Sequence, residues 1–143
     1  MEQIQTVLVV EHDRETRERI GRWFERAGFR ILDCPGPTRP GLTCVGGRGG
    51  PCPLVDAADL VVLDLWLQSD SVMEGTSSLE LLMFYISTGK PIVAISHGPD
   101  ASHLFLEEQL AVLEWPAERS ELVETAKAML LRPVAQVSGP NGP

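Results

Sequence analysis

The sequence lacks a long hydrophobic run. Its most apolar stretch, residues 60–67, is only eight residues long and contains Asp64, whereas a membrane-spanning helix needs about 20 apolar residues. The amino terminus is polar and lacks the basic and then apolar order of a secretory signal. We therefore expect a cytoplasmic protein with no membrane partner.

Basic residues are also scarce. Twelve Lys and Arg stand against twenty Asp and Glu, a formal net charge of −8. A chain this acidic has no general attraction to a phosphate backbone, so we expect no nucleic-acid partner. Its 143 residues suit one domain. We predict a single domain over residues 1–131 and a flexible tail over residues 132–143, which show no periodicity.

The third absence is a CxxC pair. The three cysteines, Cys34, Cys44 and Cys52, lie in a segment rich in Pro and Gly, and their spacing matches no standard zinc or ferredoxin pattern. Three thiols in one constrained loop could still hold zinc or an Fe–S cluster with a fourth ligand such as His12. Buried thiols or a disulfide between Cys44 and Cys52 are the alternatives.

Short apolar runs alternate with segments of helical periodicity along the rest of the chain. This alternation predicts an α/β fold with a five-stranded parallel sheet covered on both faces. A Cys/Gly/Pro-rich loop takes the place of the helix after the second strand. The predicted strands are Thr6–Val10, Phe29–Leu32, Ala58–Leu65, Pro91–Ser96 and Ala111–Glu114, and the predicted helices are 14–27, Ser78–Thr88, Asp100–Gln109 and Glu118–Leu131.

Polar side chains follow the ends of three predicted strands. They are Glu11 and His12 after the first, Asp64 at the third and Ser96 at the fourth. Because chemistry in such sheets concentrates at the carboxyl ends of the strands, we expect Glu11 and Asp64 to share an acidic pocket. His12 could pair with a carboxylate or bind a transition metal there, or be a solvated turn residue. Ser96 could likewise be an ordinary turn residue, and we expect His97 and His103 on the surface.

Five segments give the chain a resemblance to a known family. They are VLVVEHD at the first strand end, AGF after the first helix, VVLDL around Asp64, PIVAIS ending at Ser96, and LEWP at residues 113–116. In these segments the chain resembles the receiver domain of response regulators in two-component signalling. The resemblance implies a doubly wound, flavodoxin-like sheet with strand order 2-1-3-4-5. It also implies that Asp64 accepts a phosphoryl group and that Ser96 contacts that group. Mg²⁺ would be held by Glu11, Asp64 and the backbone carbonyl of Trp66.

Two positions depart from the family pattern. His12 stands where a second acid is expected, and Trp115 stands where a Lys should precede Pro116. A neutral imidazole is a poor ligand for Mg²⁺, which prefers oxygen. A missing Lys removes a cation that would stabilise phosphoryl charge. The chain therefore resembles an atypical receiver or pseudo-receiver.

The resemblance implies a function in signal transduction rather than catalysis. We expect a stand-alone receiver, not an enzyme, that acts through regulated contacts with a histidine kinase or a downstream regulator. Residues around 100–131 would form the contact surface, and a homodimer is one form that the contact could take. The alternative is a metal-binding or redox-sensing module on the same scaffold, with Cys34, Cys44 and Cys52 as its site and Zn or an Fe–S cluster as its cofactor.

Overall fold

The computed structural model describes residues 4–35, 52–65, 78–97 and 109–131. Within these ranges, the first four strands alternate with helices, and residues 98–108, between the fourth and fifth strands, lie outside the described part of the chain. The strands are β1 (Thr6–Val10), β2 (Arg30–Cys34), β3 (Leu60–Asp64), β4 (Ile92–Ser96) and β5 (Leu110–Glu114), and the helices are α1 (Arg14–Arg26), α2 (Pro53–Asp56), α3 (Ser78–Ser87) and α4 (Arg119–Leu131).

The five strands form one parallel sheet in the order β2-β1-β3-β4-β5. The predicted α/β class and the 2-1-3-4-5 order are therefore confirmed. Every residue of β1, β3 and β4 is buried, as expected for central strands covered on both faces. This burial explains why these strands read as unbroken apolar runs in the sequence.

Alternate residues of each strand pack against different helical layers, because side chains on a strand point to opposite faces. On one face Val7 and Val9 pack with residues of α1 and α4, such as Phe24 and Leu122. On the other face Leu8 and Val10 belong to a cluster that includes residues of α2 and α3. Each cluster is fully buried, so the sheet is held from both sides by the hydrophobic effect.

Helix α1 begins where the sequence predicts and ends one residue earlier, at Arg26. Asp13 is its N-cap, and its Oδ2 accepts hydrogen bonds from the Thr16 backbone nitrogen at 2.9 Å and from the Thr16 hydroxyl at 2.6 Å. This cap satisfies a backbone N–H of the first turn that has no partner inside the helix. Gly28 follows the helix with φ of 100°, a conformation that favours glycine. Asp13 thus fixes the start of α1 directly beside Glu11 and His12.

The second strand and the segment after it differ from the prediction. Strand β2 begins at Arg30 and continues to Cys34, two residues beyond its predicted end. The loop does not replace the second helix completely, because a four-residue helix, α2, begins with Pro53. Proline suits the first position of a helix, where its missing N–H costs nothing. Lys90 anchors this short helix, since its Nζ donates to the backbone oxygens of Asp56 and Ala58.

Several predictions fall outside the described residues. These are the predicted helix Asp100–Gln109 apart from its last residue, the tail 132–143, Cys44, Trp66 and His103. No helix in the described ranges combines the length and the apolar character needed to cross a membrane.

Candidate functional site

The register of the central strands brings polar residues together at one edge of the sheet. Val10 pairs with Leu63, so Glu11 and Asp64 are the next residues on neighbouring strands. Asp64 in turn pairs with Ile95, which places Ser96 just beyond it. The exposed fractions of Glu11, Asp64 and Ser96 are only 3%, 1% and 4%. Two buried carboxylates in contact are costly for folding, so this edge is a candidate functional site.

Burial and crowding change the protonation of Glu11. Its Oε2 accepts a hydrogen bond from the Asp13 backbone nitrogen at 3.0 Å, and its side chain is also hydrogen-bonded to Asp64. Burial, and then the hydrogen bond and charge of Asp64, raise the pKa of Glu11 from 4.5 to about 8, against the opposing effect of the Asp13 N–H. Glu11 therefore holds a proton near neutral pH unless a positive charge enters the pocket.

His12 faces both carboxylates. Its Nδ1 lies 3.4 Å from Glu11 Oε2 and 3.8 Å from Asp64 Oδ2, and its side chain is 22% exposed. The Nδ1 atom itself is buried and has no hydrogen-bond partner among the described residues. The alternative that His12 is a solvated turn residue is therefore wrong.

His97 lies at the same site, where the sequence analysis did not place it. Its Nε2 is 2.8 Å from Asp64 Oδ1, and its side chain is 26% exposed. The expectation of a surface histidine was incomplete, because the partly exposed ring turns back onto a buried carboxylate. The signal in the sequence was its position directly after Ser96, at the end of a buried strand. An ionised Asp64 accepts a hydrogen bond from Nε2–H, so the proton lies on Nε2 in that state.

The end of β5 completes this edge of the sheet. Trp115 donates its backbone N–H to the Ser96 carbonyl at 2.8 Å. Its indole packs beside the apolar cluster of α1 and α4, with its ring centroid 6.4 Å from that of His97. The peptide bond between Trp115 and Pro116 is cis. An apolar ring therefore occupies the position at which the resemblance implies a Lys.

Cys34 contacts the site through its backbone. The Glu11 backbone nitrogen donates to the Cys34 carbonyl at 3.0 Å. Cys34 and Cys52 are both half-buried and pack against the apolar cluster on the α2 and α3 face. Among the described residues, the group with the spacing of metal ligands is instead Glu11, His12 and Asp64, whose ligand atoms all lie within 4.8 Å of one another.

This donor set does not fit the Mg²⁺ that the resemblance implies. Mg²⁺ requires near-octahedral oxygen coordination and is reluctant to lose its water. Glu11 and Asp64 supply carboxylate oxygens, but the third donor is the imidazole nitrogen of His12. Imidazole suits zinc and other transition metals better than magnesium.

Comparisons with solved structures identify the fold. The chain superposes on a response regulator receiver protein from Sinorhizobium medicae WSM419 with a TM-score of 0.68 and 16% identity, over 91% of this chain and 97% of that one. A response regulator receiver domain protein from Clostridium thermocellum gives 0.67 and 16%, over 90% and 96%. A receiver domain from Methylobacillus flagellatus gives 0.59 and 21%, over 89% and 99%.

No protein-family model and no curated protein sequence matches the chain. The structural matches nevertheless span nearly the whole length of each matched protein. This protein therefore has the fold of a response regulator receiver domain.

Proposed function

We propose that this protein is an atypical receiver that transmits a signal by changing its contacts with another protein, and that Asp64 is the phosphoacceptor. The observation that carries the proposal is the position of Asp64, buried at the end of β3 beside Glu11 in a receiver fold. Fold alone does not give function. The pair of buried carboxylates is the specific feature that supports a regulated site.

The chemistry that fits Asp64 is transfer of a phosphoryl group to a carboxylate. A carboxylate oxygen of Asp64 bonds to the phosphorus of a phosphohistidine on a kinase. The phosphorus–nitrogen bond breaks, its electron pair stays on the donor imidazole, and an acyl phosphate remains on Asp64. His12 and His97 are the nearby groups that can carry compensating positive charge, since both rings already face Asp64.

Asp64 is connected to a surface that a partner could contact. Its strand neighbour Ile95 precedes Ser96, whose carbonyl is bonded to Trp115 at the end of β5. Trp115 packs against the apolar cluster that includes residues of α4, and α4 ends in Leu131, which is 82% exposed. A change at Asp64 can therefore reach β5 and α4. A histidine kinase, a downstream regulator or a second copy of the chain are the partners that we propose for this surface.

Phosphodonor labelling tests the proposal. The protein is incubated with radiolabelled acetyl phosphate and either Mg²⁺ or Zn²⁺, and acyl phosphate is scored by its lability to hydroxylamine. We expect label on the wild type and none on Asp64→Asn. Asp33→Asn is the matched control, since Asp33 lies at the exposed end of β2 and binds Arg17 instead of facing Asp64. Equal labelling of all three proteins, or none on the wild type, would overturn Asp64 as the phosphoacceptor.

The contact itself is measured separately. Light scattering after size-exclusion chromatography reports the mass with and without the phosphodonor. We expect a change of mass, or of affinity for a kinase, in the wild type and not in Asp64→Asn. A partner response that persists unchanged in Asp64→Asn would contradict regulation through this residue.

A second candidate function is the metal or redox module formed by the three cysteines. The observation that favours it is that Cys34 and Cys52 pack against the same apolar cluster, although 17 positions separate them between β2 and α2. We expect metal in gently purified protein that is lost on Cys→Ser substitution of Cys34, Cys44 and Cys52. Metal-free protein with three readily alkylated thiols would contradict this candidate.

A further inference from the structure

The acidic pocket differs from a magnesium site in the type of its third donor. Glu11 Oε2 and Asp64 Oδ2 are carboxylate oxygens, and His12 Nδ1 is a nitrogen that faces both. One imidazole with two carboxylates is a ligand set suited to first-row transition ions. Catalytic and regulatory zinc sites often use three protein ligands and leave the fourth position to water.

The state of His12 Nδ1 points to a missing partner. Buried polar atoms without a hydrogen bond are rare and call for an explanation, of which a bound ion is one. Nδ1 is buried without such a bond among the described residues, although two carboxylates lie close by. A neutral ring with its proton on Nε2 would direct the Nδ1 lone pair toward these carboxylates. An ion between the three atoms would satisfy Nδ1 and both acids together.

The distances agree with this arrangement. Ligands about 2.0–2.1 Å from a tetrahedral zinc ion lie about 3.3 Å from one another. His12 Nδ1 is 3.4 Å from Glu11 Oε2 and 3.8 Å from Asp64 Oδ2. Changes of a few tenths of an ångström would therefore bring His12 Nδ1 to this spacing from both oxygens, and the three ligand atoms all lie within 4.8 Å of one another.

His97 would orient one of the ligands of such a site. Its Nε2 holds Asp64 Oδ1 at 2.8 Å, while the other carboxylate oxygen, Oδ2, is the one near His12. A ligating carboxylate is commonly oriented by a hydrogen bond to its other oxygen. His97 is thus a positioning residue rather than a ligand.

We propose that this pocket binds a divalent transition-metal ion of the zinc type in preference to Mg²⁺, with Glu11, His12 and Asp64 as ligands and His97 orienting Asp64. The ion regulates the same pocket, and this regulatory role extends the proposed function and rests on it. Binding itself does not depend on phosphorylation. A bound ion neutralises the two buried carboxylates and controls access to Asp64.

A zinc titration tests the proposal on the unphosphorylated chain of 143 residues. Competition with a chromogenic zinc chelator gives the stoichiometry and the Kd, and isothermal titration gives the response to Mg²⁺. We expect one zinc per chain at this pocket and an affinity for zinc at least 100-fold higher than for Mg²⁺. His12→Ala should weaken zinc binding at least 100-fold, whereas His103→Ala, the same change at the third histidine of the chain, should leave it unchanged.

His12→Asp provides a reversal. Replacing the nitrogen donor by a carboxylate should weaken zinc binding and create Mg²⁺ binding, because three carboxylates suit the harder ion. The triple Cys→Ser variant at Cys34, Cys44 and Cys52 removes thiols that could bind zinc elsewhere. If that variant does not fold, the comparison of His12→Ala with His103→Ala in the wild-type background still isolates the pocket, since both retain the thiols.

The outcomes separate this proposal from the proposed function. Zinc affinity that is equal in the wild type and His12→Ala, or tighter binding of Mg²⁺ than of zinc by the wild type, would overturn the metal site. Phosphodonor labelling that fails while His12-dependent zinc binding persists would overturn Asp64 phosphorylation and leave the metal site standing. Phosphodonor labelling of Asp64 in a protein that does not bind zinc would overturn the metal site and leave Asp64 phosphorylation standing.

Discussion

The two halves of the pocket are built in different ways. Glu11, directly after β1, and Asp64, at the end of β3, are positioned by the register of two fully buried strands. His12 lies two residues beyond β1 and His97 directly follows β4, and their rings reach the carboxylates through their side-chain conformations. The carboxylates are almost completely buried, whereas both rings remain partly exposed.

This difference separates what the sheet dictates from what the side chains add. A one-residue slip of β1 against β3 would turn every core residue to the wrong face, so the positions of the two acids are tied to the stability of the fold. The imidazole positions carry no such constraint. The chemistry of the pocket can therefore change through its histidines while the fold and its acids stay the same.

The largest expected effect comes from removing an acid. Asp64→Ala should weaken zinc binding by more than 100-fold, because it removes a ligand and leaves the His97 ring without its acceptor. Ser96→Ala, an equally buried position on β4, should change the zinc Kd by less than about threefold, since its side chain is not among the three ligands. Both values come from chelator competition. A similar loss of zinc affinity in Asp64→Ala and Ser96→Ala would contradict the distinct part of the carboxylates in the pocket.

Removing the positioning histidine should have a smaller effect. His97→Ala should weaken zinc binding about 10–100-fold, the usual cost of losing a hydrogen bond that orients a metal ligand. His97→Gln keeps an N–H donor and should restore most of the affinity. Thermal unfolding of the metal-free variants is the control, because a merely structural role would lower the Tm without this rescue. Equal affinities for His97→Ala and His97→Gln would contradict the positioning role.

The same distinction explains what could be read from the sequence. Unbroken apolar runs such as Thr6–Val10 and the acids that follow them predict the sheet and the positions of Glu11 and Asp64, because backbone pairing decides these features. The strand order follows from the resemblance to receiver domains and not from these runs. The contact of His97 with Asp64 was missed, because it depends on one side-chain rotamer that no periodicity reports. The four-residue helix α2 was missed for a related reason, since four residues carry no measurable helical period.

Glu11 also makes the free energy of unfolding of the metal-free protein depend on pH. Glu11 has a pKa of about 8 in the folded state against an ordinary 4.5, so the folded state holds a proton that the unfolded state has lost between these values. The free energy of unfolding should therefore fall as pH rises from 4.5 to 8. The groups that face Glu11 or lie next to it are Asp64, His12 and Asp13. The Arg17 guanidinium donates to the Glu11 backbone carbonyl, and His97 contacts Asp64.

Glu11→Gln isolates this contribution. Urea unfolding in EDTA at pH 5.5 and 7.5 should show that the wild type loses about 1–2 kcal/mol more than the variant over this interval. The comparison removes the effect of the other groups, which both proteins share. Parallel pH profiles for the two proteins would mean that Glu11 titrates normally. Excess zinc should abolish the loss in the wild type, since the ion stabilises the ionised acid.

The smallest effect separates stability from the site. Asp13→Ala removes the cap of α1 and should lower the free energy of unfolding by about 1 kcal/mol, with Asp13→Ser as the variant that keeps a capping oxygen. The Asp13 backbone nitrogen, which donates to Glu11 Oε2 at 3.0 Å, remains in both variants. Zinc affinity should therefore stay within about threefold of the wild type. If Asp13→Ala weakened zinc binding as strongly as His97→Ala, the position of the ligands would depend on the start of α1 as much as on the strands. The distinction between carboxylates positioned by strand register and histidines positioned by side-chain conformation would then no longer describe the pocket.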